Sequence, residues 1–274
     1  MSPLPAGFAF RFPTMLSGAH YATTFLFTFA WDEYHQHGGD KVLVLSRVEY
    51  VILTMSGVVS MLSMNASLLL NSVGFYQLSK LLIMPFTYFL DVQWFGSTFR
   101  KSKAVSIAAI MFGLGIVTAS EVHAGMLGLF AAVFGIITTA YGTAYVKHIF
   151  IKYQSTPTAV LRAVAPLRAF FLICFGPFLD RGAFGQWIAE YDWTRTAAAV
   201  VSGTCFLGVC VQFSGATFTK ASRILTVQIL NATKTVLVLC SGWIWFKERI
   251  TLEEVGGTAI ALAGVAWYFV QEEN

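Results

Sequence analysis

The sequence predicts an all-α, polytopic membrane bundle, and three observations carry that expectation. Hydrophobic residues fill 56% of the 274 positions and charged residues only 12%, about half the roughly 25% of a soluble domain. The apolar residues gather into nine runs of about 20, the length a helix needs to cross a bilayer. Within each run they are continuous and do not alternate, which argues against a membrane β-barrel. The same composition excludes a disordered chain and leaves too little polar surface to coat a soluble enzyme.

The first run, roughly 13–30, follows Pro3 and Pro5 with no basic stretch before it, so it reads as a span and not as a signal peptide. It holds His20, read as a packing or hydrogen-bonding residue. The second, 49–70, contains Asn65-Ala66-Ser67, a glycosylation pattern that a position inside a span makes inoperative. The third, 72–95, carries Lys80. The fourth, 103–120, is opened by Gly113-Leu114-Gly115 to close helix approach. The fifth runs from 124 to 146. The sixth, 157–179, holds Arg162, Pro166 and Arg168. The seventh and eighth, 196–217 and 223–246, hold Cys205, Cys210, Cys240 and Lys234. With Cys174 these cysteines read as small core residues, because no CxxC or Cys/His cluster is present. The ninth, 253–271, begins at another small pair, Gly256-Gly257.

The 18 Lys and Arg residues sort by position. Nine fall to one set of alternating loops: Lys41, Arg47, Arg100, Lys101, Lys103, Lys147, Lys152, Lys220 and Arg223. Five fall to the other: Arg11, Arg181, Arg195, Lys247 and Arg249. The richer side is expected to face the cytosol, together with the C-terminus. The net charge of +4 contains no basic run beyond Arg100-Lys101, so a nucleic-acid surface is not expected. Four cations remain inside the spans: Lys80, Arg162, Arg168 and Lys234. Each costs about 2.5–3.5 kcal/mol at a helix centre on insertion scales. Asp91 is the one acid well inside a span, and it sits near an end. An anionic ligand in a water-filled cavity would answer the excess.

The segments around Lys80 and Lys234 resemble each other. Each lysine follows an amide by three residues, Gln77 or Asn231. This suggests two repeats in one transmembrane domain, about 10–120 and 124–272, meeting as transporter repeats do. Tyr76 and Lys80 share a helix face at i,i+4, and Asn231 and Lys234 at i,i+3, with Gln228 and Thr235 nearby. Each helix therefore offers a cation, an amide and a hydroxyl. A phosphate needs the charge and donors, and a sugar or base needs amides, hydroxyls and aromatic faces. Interhelical hydrogen bonding is the competing reading for the amides.

At these residues the chain is similar to the nucleotide-sugar/triose-phosphate translocator family, within the drug/metabolite transporter superfamily. Asn71-Ser72-Val73-Gly74-Phe75-Tyr76-Gln77-Leu78-Ser79-Lys80, with Pro85, resembles its fourth helix. Thr226-Val227-Gln228-Ile229-Leu230-Asn231-Ala232-Thr233-Lys234-Thr235 resembles its ninth. Gly176-Pro177-Phe178-Leu179-Asp180 and Phe12-Pro13-Thr14 through His20 fit the same template, and the likeness is collinear from about 10 to 272. Lys234-Thr235 resembles the subgroup that includes plant Golgi carriers of UDP-galactose and UDP-rhamnose. Plastidic phosphate translocators carry Lys-Arg there.

The resemblance implies two inverted repeats, ten helices with both termini cytosolic, and antiport of a nucleotide sugar against the nucleoside monophosphate. It also implies phosphate contacts from both lysines. The expected site is therefore Lys80, Lys234, Tyr76, Gln77, Gln228, Asn231, Thr235, Arg162 and Arg168, in a Golgi or other endomembrane. Nine spans are visible where the family has ten, as if this chain began at the family's second helix. Asn231 stands where the subgroup has Gly, and Arg162 and Arg168 stand where it tends to have Tyr and Gln. Two other expectations follow from these departures: an antiporter of phosphorylated metabolites that uses the two arginines, or a truncated, non-transporting scaffold. No P-loop, HExxH or GxSxG motif is present, so no ATPase or hydrolase is expected, nor any cofactor or metal. The partners expected are the small anionic substrate and the lipid bilayer, and a homodimer is one assembly left open.

Overall fold

In the computed structural model the described residues form a wholly helical fold. The structure describes residues 10, 12–34, 43–71, 73–98, 100–118, 125–246 and 252–273. The helices are α1 (Pro13–Tyr34), α2 (Arg47–Leu70), α3 (Val73–Leu81), α4 (Ile83–Phe95), α5 (Lys101–Thr118) and α6 (Met126–Tyr153). They continue as α7 (Pro157–Phe184), α8 (Arg195–Ala221), α9 (Ile224–Phe246) and α10 (Leu252–Glu273). Among the described residues, Arg47–Leu70, Met126–Tyr153, Pro157–Gly182 and Arg195–Ala221 are long and apolar enough to cross a membrane. α1, α9 and α10 have 22, 23 and 22 residues, which makes each about 33 Å long. Large apolar side chains such as Phe206, Leu207 and Val211 stand exposed, as a lipid-facing surface requires.

Every expected run is helical, with three informative differences. The third run divides at Leu82 into α3 and α4. Pro85 has no N–H to serve the Leu81 carbonyl, and the Leu82 amide donates to Ser79 at 3.1 Å in a tightened turn. α6 and α7 run on to Tyr153 and Phe184, beyond their apolar stretches, so Asp180 lies inside a helix. Lys103, expected in a loop, lies in α5, is only 6% exposed and stands 5.2 Å from the Tyr268 ring centre. Lys41, Arg11, Lys247 and Arg249 lie outside the described residues.

The chain forms two compact units, residues 1–66 with 145–221 and residues 67–144 with 222–274. Each draws helices from both halves of the sequence. In the first unit, α1 packs on α7 and α8. Asp180 is fully buried, and its carboxylate accepts from the Thr14 amide at 3.2 Å and the Met15 amide at 3.0 Å. It thereby caps α1 from another helix, where a carboxylate suits the positive end of the dipole. Asn65 Nδ2 donates to Thr14 Oγ1 at 3.1 Å and ties α2 to the same point. At the opposite end of α2, Ser46 and Glu49 form a capping box. Lys152 Nζ and Tyr153 Oη donate to that Glu49 at 2.6 and 2.7 Å, joining α6 to α2. Leu53, Ile149, Phe150, Val160 and Val164 fill the space between α2, α6 and α7. Lys147 Nζ donates to the Lys220 carbonyl at 2.6 Å and satisfies one of the last carbonyls of α8.

In the second unit, α5 packs on α10, α9 on α4 and α10, and α3 on α5. Their shared core includes Leu81, Met84, Ile110, Leu225, Ile229 and Tyr268. The Tyr268 and Thr226 hydroxyls share a hydrogen bond of 3.0 Å. α5 and α10 approach until backbones touch. A Cβ on Gly113 would overlap the Gly257 carbonyl and the Ala261 amide, and one on Gly264 would lie 2.9 Å from the Ile110 side chain. Without a hydrophobic drive between helices, such close van der Waals contact is what holds them.

Gly113→Ala should therefore destabilise the protein by about 1–3 kcal/mol, through overpacking. Gly203→Ala on α8 meets only open space and should stabilise by about 0.5–1 kcal/mol through helix propensity. Thermal unfolding of the two detergent-purified variants checks this. Equal shifts would mean that the α5–α10 seam is not tightly packed.

Candidate functional site

Seven of the nine expected site residues lie in the second unit, on α3 and α9. The break at Leu82 leaves α3 only nine residues long, with Lys80 in its last turn. There an ammonium is favoured by the negative end of the helix dipole. Lys80 is exposed, and its Nζ stands 4.5 Å from the Tyr76 ring centre. This places the i,i+4 pair face to face, in a cation–π contact. Tyr76 is half-buried, and its carbonyl accepts from Ser79 Oγ at 2.8 Å, which further occupies the backbone just before the break.

On α9, Lys234 and Asn231 are exposed and Gln228 is buried, at 7% exposure. The polar positions alternate with Leu225, Ile229 and Ala232, which lie in the same core as Leu81. The end of α3 and the middle of α9 are thus brought into one packed unit, with a lysine emerging beside that core on each helix. Among the described residues neither lysine forms an ion pair. Gln77 and Thr235 fall on α3 and α9, and their side chains lie outside the described residues.

Arg162 and Arg168 belong to the first unit, on α7. Arg162 Cζ stands 5.8 Å from the Phe29 ring centre. Arg168 is half-buried at mid-helix. Its Nη2 donates to the Leu53 carbonyl at 2.8 Å and its Nη1 to Tyr21 Oη at 3.3 Å. The Leu53 carbonyl on α2 also accepts from Ser56 Oγ at 3.3 Å, so two side chains share it. The contact depends on Gly57, four residues on, because a Cβ there would overlap the guanidinium.

Reading the sequence did not find these anchors. Arg168 was visible as a cation at membrane depth, but nothing marked Leu53 as its acceptor, since any backbone carbonyl qualifies. The one available signal was Gly57, the single glycine of that run. Asp180 was visible only as part of a motif. Among the described residues no group of three or more His, Cys, Asp or Glu comes together to hold a metal. His35 and His37 lie outside them.

Comparison with known proteins shows what the chain as a whole is similar to. The model of the Triose-phosphate Transporter family matches residues 8–269. UDP-rhamnose/UDP-galactose transporter 1 of Arabidopsis thaliana is 30% identical over 263 residues, covering 96% of this chain and 75% of the relative. UDP-rhamnose/UDP-galactose transporter 2 of the same plant is 28% identical over the same shares of each chain. Its UDP-xylose transporter 2 is 30% identical, covering 94% of this chain and 72% of the relative.

If the break beside Lys80 matters to the site, Pro85→Ala should give the Leu81 carbonyl a donor. Amide deuterium exchange across 82–86 should then slow about fivefold, the worth of one hydrogen bond. Unchanged exchange would mean that the core, and not the proline, divides α3 from α4.

Proposed function

Because the chain belongs to the Triose-phosphate Transporter family, matched over residues 8–269, we propose that it is a secondary carrier of nucleotide sugars. It exchanges a UDP-galactose-like sugar for the nucleoside monophosphate across a Golgi or other endomembrane. The observation that carries this reading is the pair of lysines. Lys80 and Lys234 are exposed on two helices of one core, and among the described residues neither forms an ion pair. The names of the similar proteins support a UDP-linked substrate, and Thr235 after Lys234 supports a nucleotide sugar over a triose phosphate.

In this mechanism the two ammonium groups neutralise the phosphates. Charge-assisted hydrogen bonds replace the hydration that the anion gives up. Tyr76, Gln77, Gln228, Asn231 and Thr235 set the sugar and base contacts through hydroxyls, amides and an aromatic face. Asn231 narrows the site relative to a glycine, so it acts in sugar selection. The short α3 allows Lys80 to be presented at a helix end, where a discontinuous span exposes polar groups at membrane depth. Exchange then proceeds by alternating access around these helices.

Liposomes loaded with UMP and supplied with labelled UDP-galactose test the proposal. Lys80→Ala and Lys234→Ala should each lower exchange by about tenfold or more, the worth of one charge-assisted bond. Full exchange by both variants would remove the lysines from the site. Exchange driven by sugar phosphates and not by nucleotides would point instead to a phosphorylated-metabolite carrier.

A further inference from the structure

Arg168 is a cation placed near the middle of a 28-residue, membrane-length helix, where lipid offers neither water nor counter-ion. Among the described residues no carboxylate pairs with it. Asp180 on α7 and Glu49 on α2 are engaged by the α1 amides and by Lys152. A guanidinium has five N–H groups. One serves the Leu53 carbonyl and one Tyr21 Oη, while Nε is buried with no partner among the described residues.

The surroundings repeat this surplus. Thr54 Oγ1 is buried without a partner on a fully buried residue. It lies three positions before Gly57, so it shares the helix face on which the guanidinium rests. His20 Nε2 on α1 and Gln212 Oε1 on α8 are buried and unpartnered too. His20 is next in sequence to Tyr21 and packs on Gly208, one turn from Gln212. Each of the four helices α1, α2, α7 and α8 thus supplies a buried polar atom with no partner among the described residues. At membrane depth such atoms are costly.

We propose that Arg168, with the Thr54 hydroxyl, forms an oxyanion subsite within the first unit, built to take a phosphate group. The Nε–H and a free N–H of the guanidinium present two donors to one oxyanion, and Thr54 supplies a third. Tyr21 and the Leu53 carbonyl hold the guanidinium in register. Gly57 leaves room for it. All of these residues belong to the first unit, and the subsite stands or falls independently of the nucleotide-sugar reading. Its phosphate could arrive on a soluble metabolite or on a lipid headgroup.

The test is thermal unfolding of the full chain in detergent with inorganic phosphate. The wild type and the Lys80→Gln/Lys234→Gln double variant should both gain about 3 °C or more at saturation. In that double variant, adding Arg168→Gln should abolish the gain. Gly57→Ala in the same background keeps the charge but displaces the guanidinium, and it should abolish the gain as well, so the proposal stays testable if Arg168→Gln does not fold. Parallel titrations with UMP and with short-chain phosphatidic acid separate a soluble source from a lipid one. No gain in the wild type, loss of the gain in the lysine double variant, or its persistence there after Arg168→Gln or Gly57→Ala would each overturn the proposal.

Discussion

A bilayer supplies no hydrogen bonds, so any polar group carried into it must find a partner within the protein or its ligand. That constraint explains where the scarce charges of this chain went. Asp180 holds two amides at the start of α1. Lys147 holds a carbonyl at the end of α8. Glu49 closes its own capping box while receiving Lys152 and Tyr153. Arg168 takes a carbonyl in the middle of α2. Asp180, Lys147 and Arg168 thus reach from far along the chain to serve backbone that water would serve in a soluble protein. The packing of α1, α2, α6, α7 and α8 follows from these ties as much as from apolar contact.

The same constraint sorts the cations into two kinds. Arg168 is anchored to backbone and ring. Lys103 is buried against Tyr268. Lys80 and Lys234 are exposed beside a packed core, with an aromatic ring under Lys80 and no acid joined to either. A carrier must bind its anion and release it, and a lysine already committed to a carboxylate would do neither well. Two lysines with no carboxylate joined to them among the described residues suit the proposed carrier role better than a closed ion pair.

Helix positions were legible in the sequence because the apolar runs are long and the charges between them few. The lysine-bearing helices were legible because their spacing repeats. What stayed hidden depends on partners distant in the chain. Nothing near Asp180 announces that it caps a helix beginning at Pro13, and nothing near Lys103 announces Tyr268. The division of α3 from α4 was half visible, since Pro85 was in view but a proline within a span more often bends a helix than ends it. The compact units were hidden for the same reason, because each is assembled from stretches of both halves.

That interleaving has a consequence for biogenesis. The amides of Thr14 and Met15 leave the ribosome long before Asp180 has been synthesised, and the Leu53 carbonyl long before Arg168. Until α7 arrives, α1 has an open N-terminus and α2 lacks its cross-tie. The early helices therefore have to wait, in the insertion machinery or against one another, for a segment made much later. A chain arrested before α7 would present uncapped polar backbone to lipid, which is the kind of surface that quality control in the membrane can recognise.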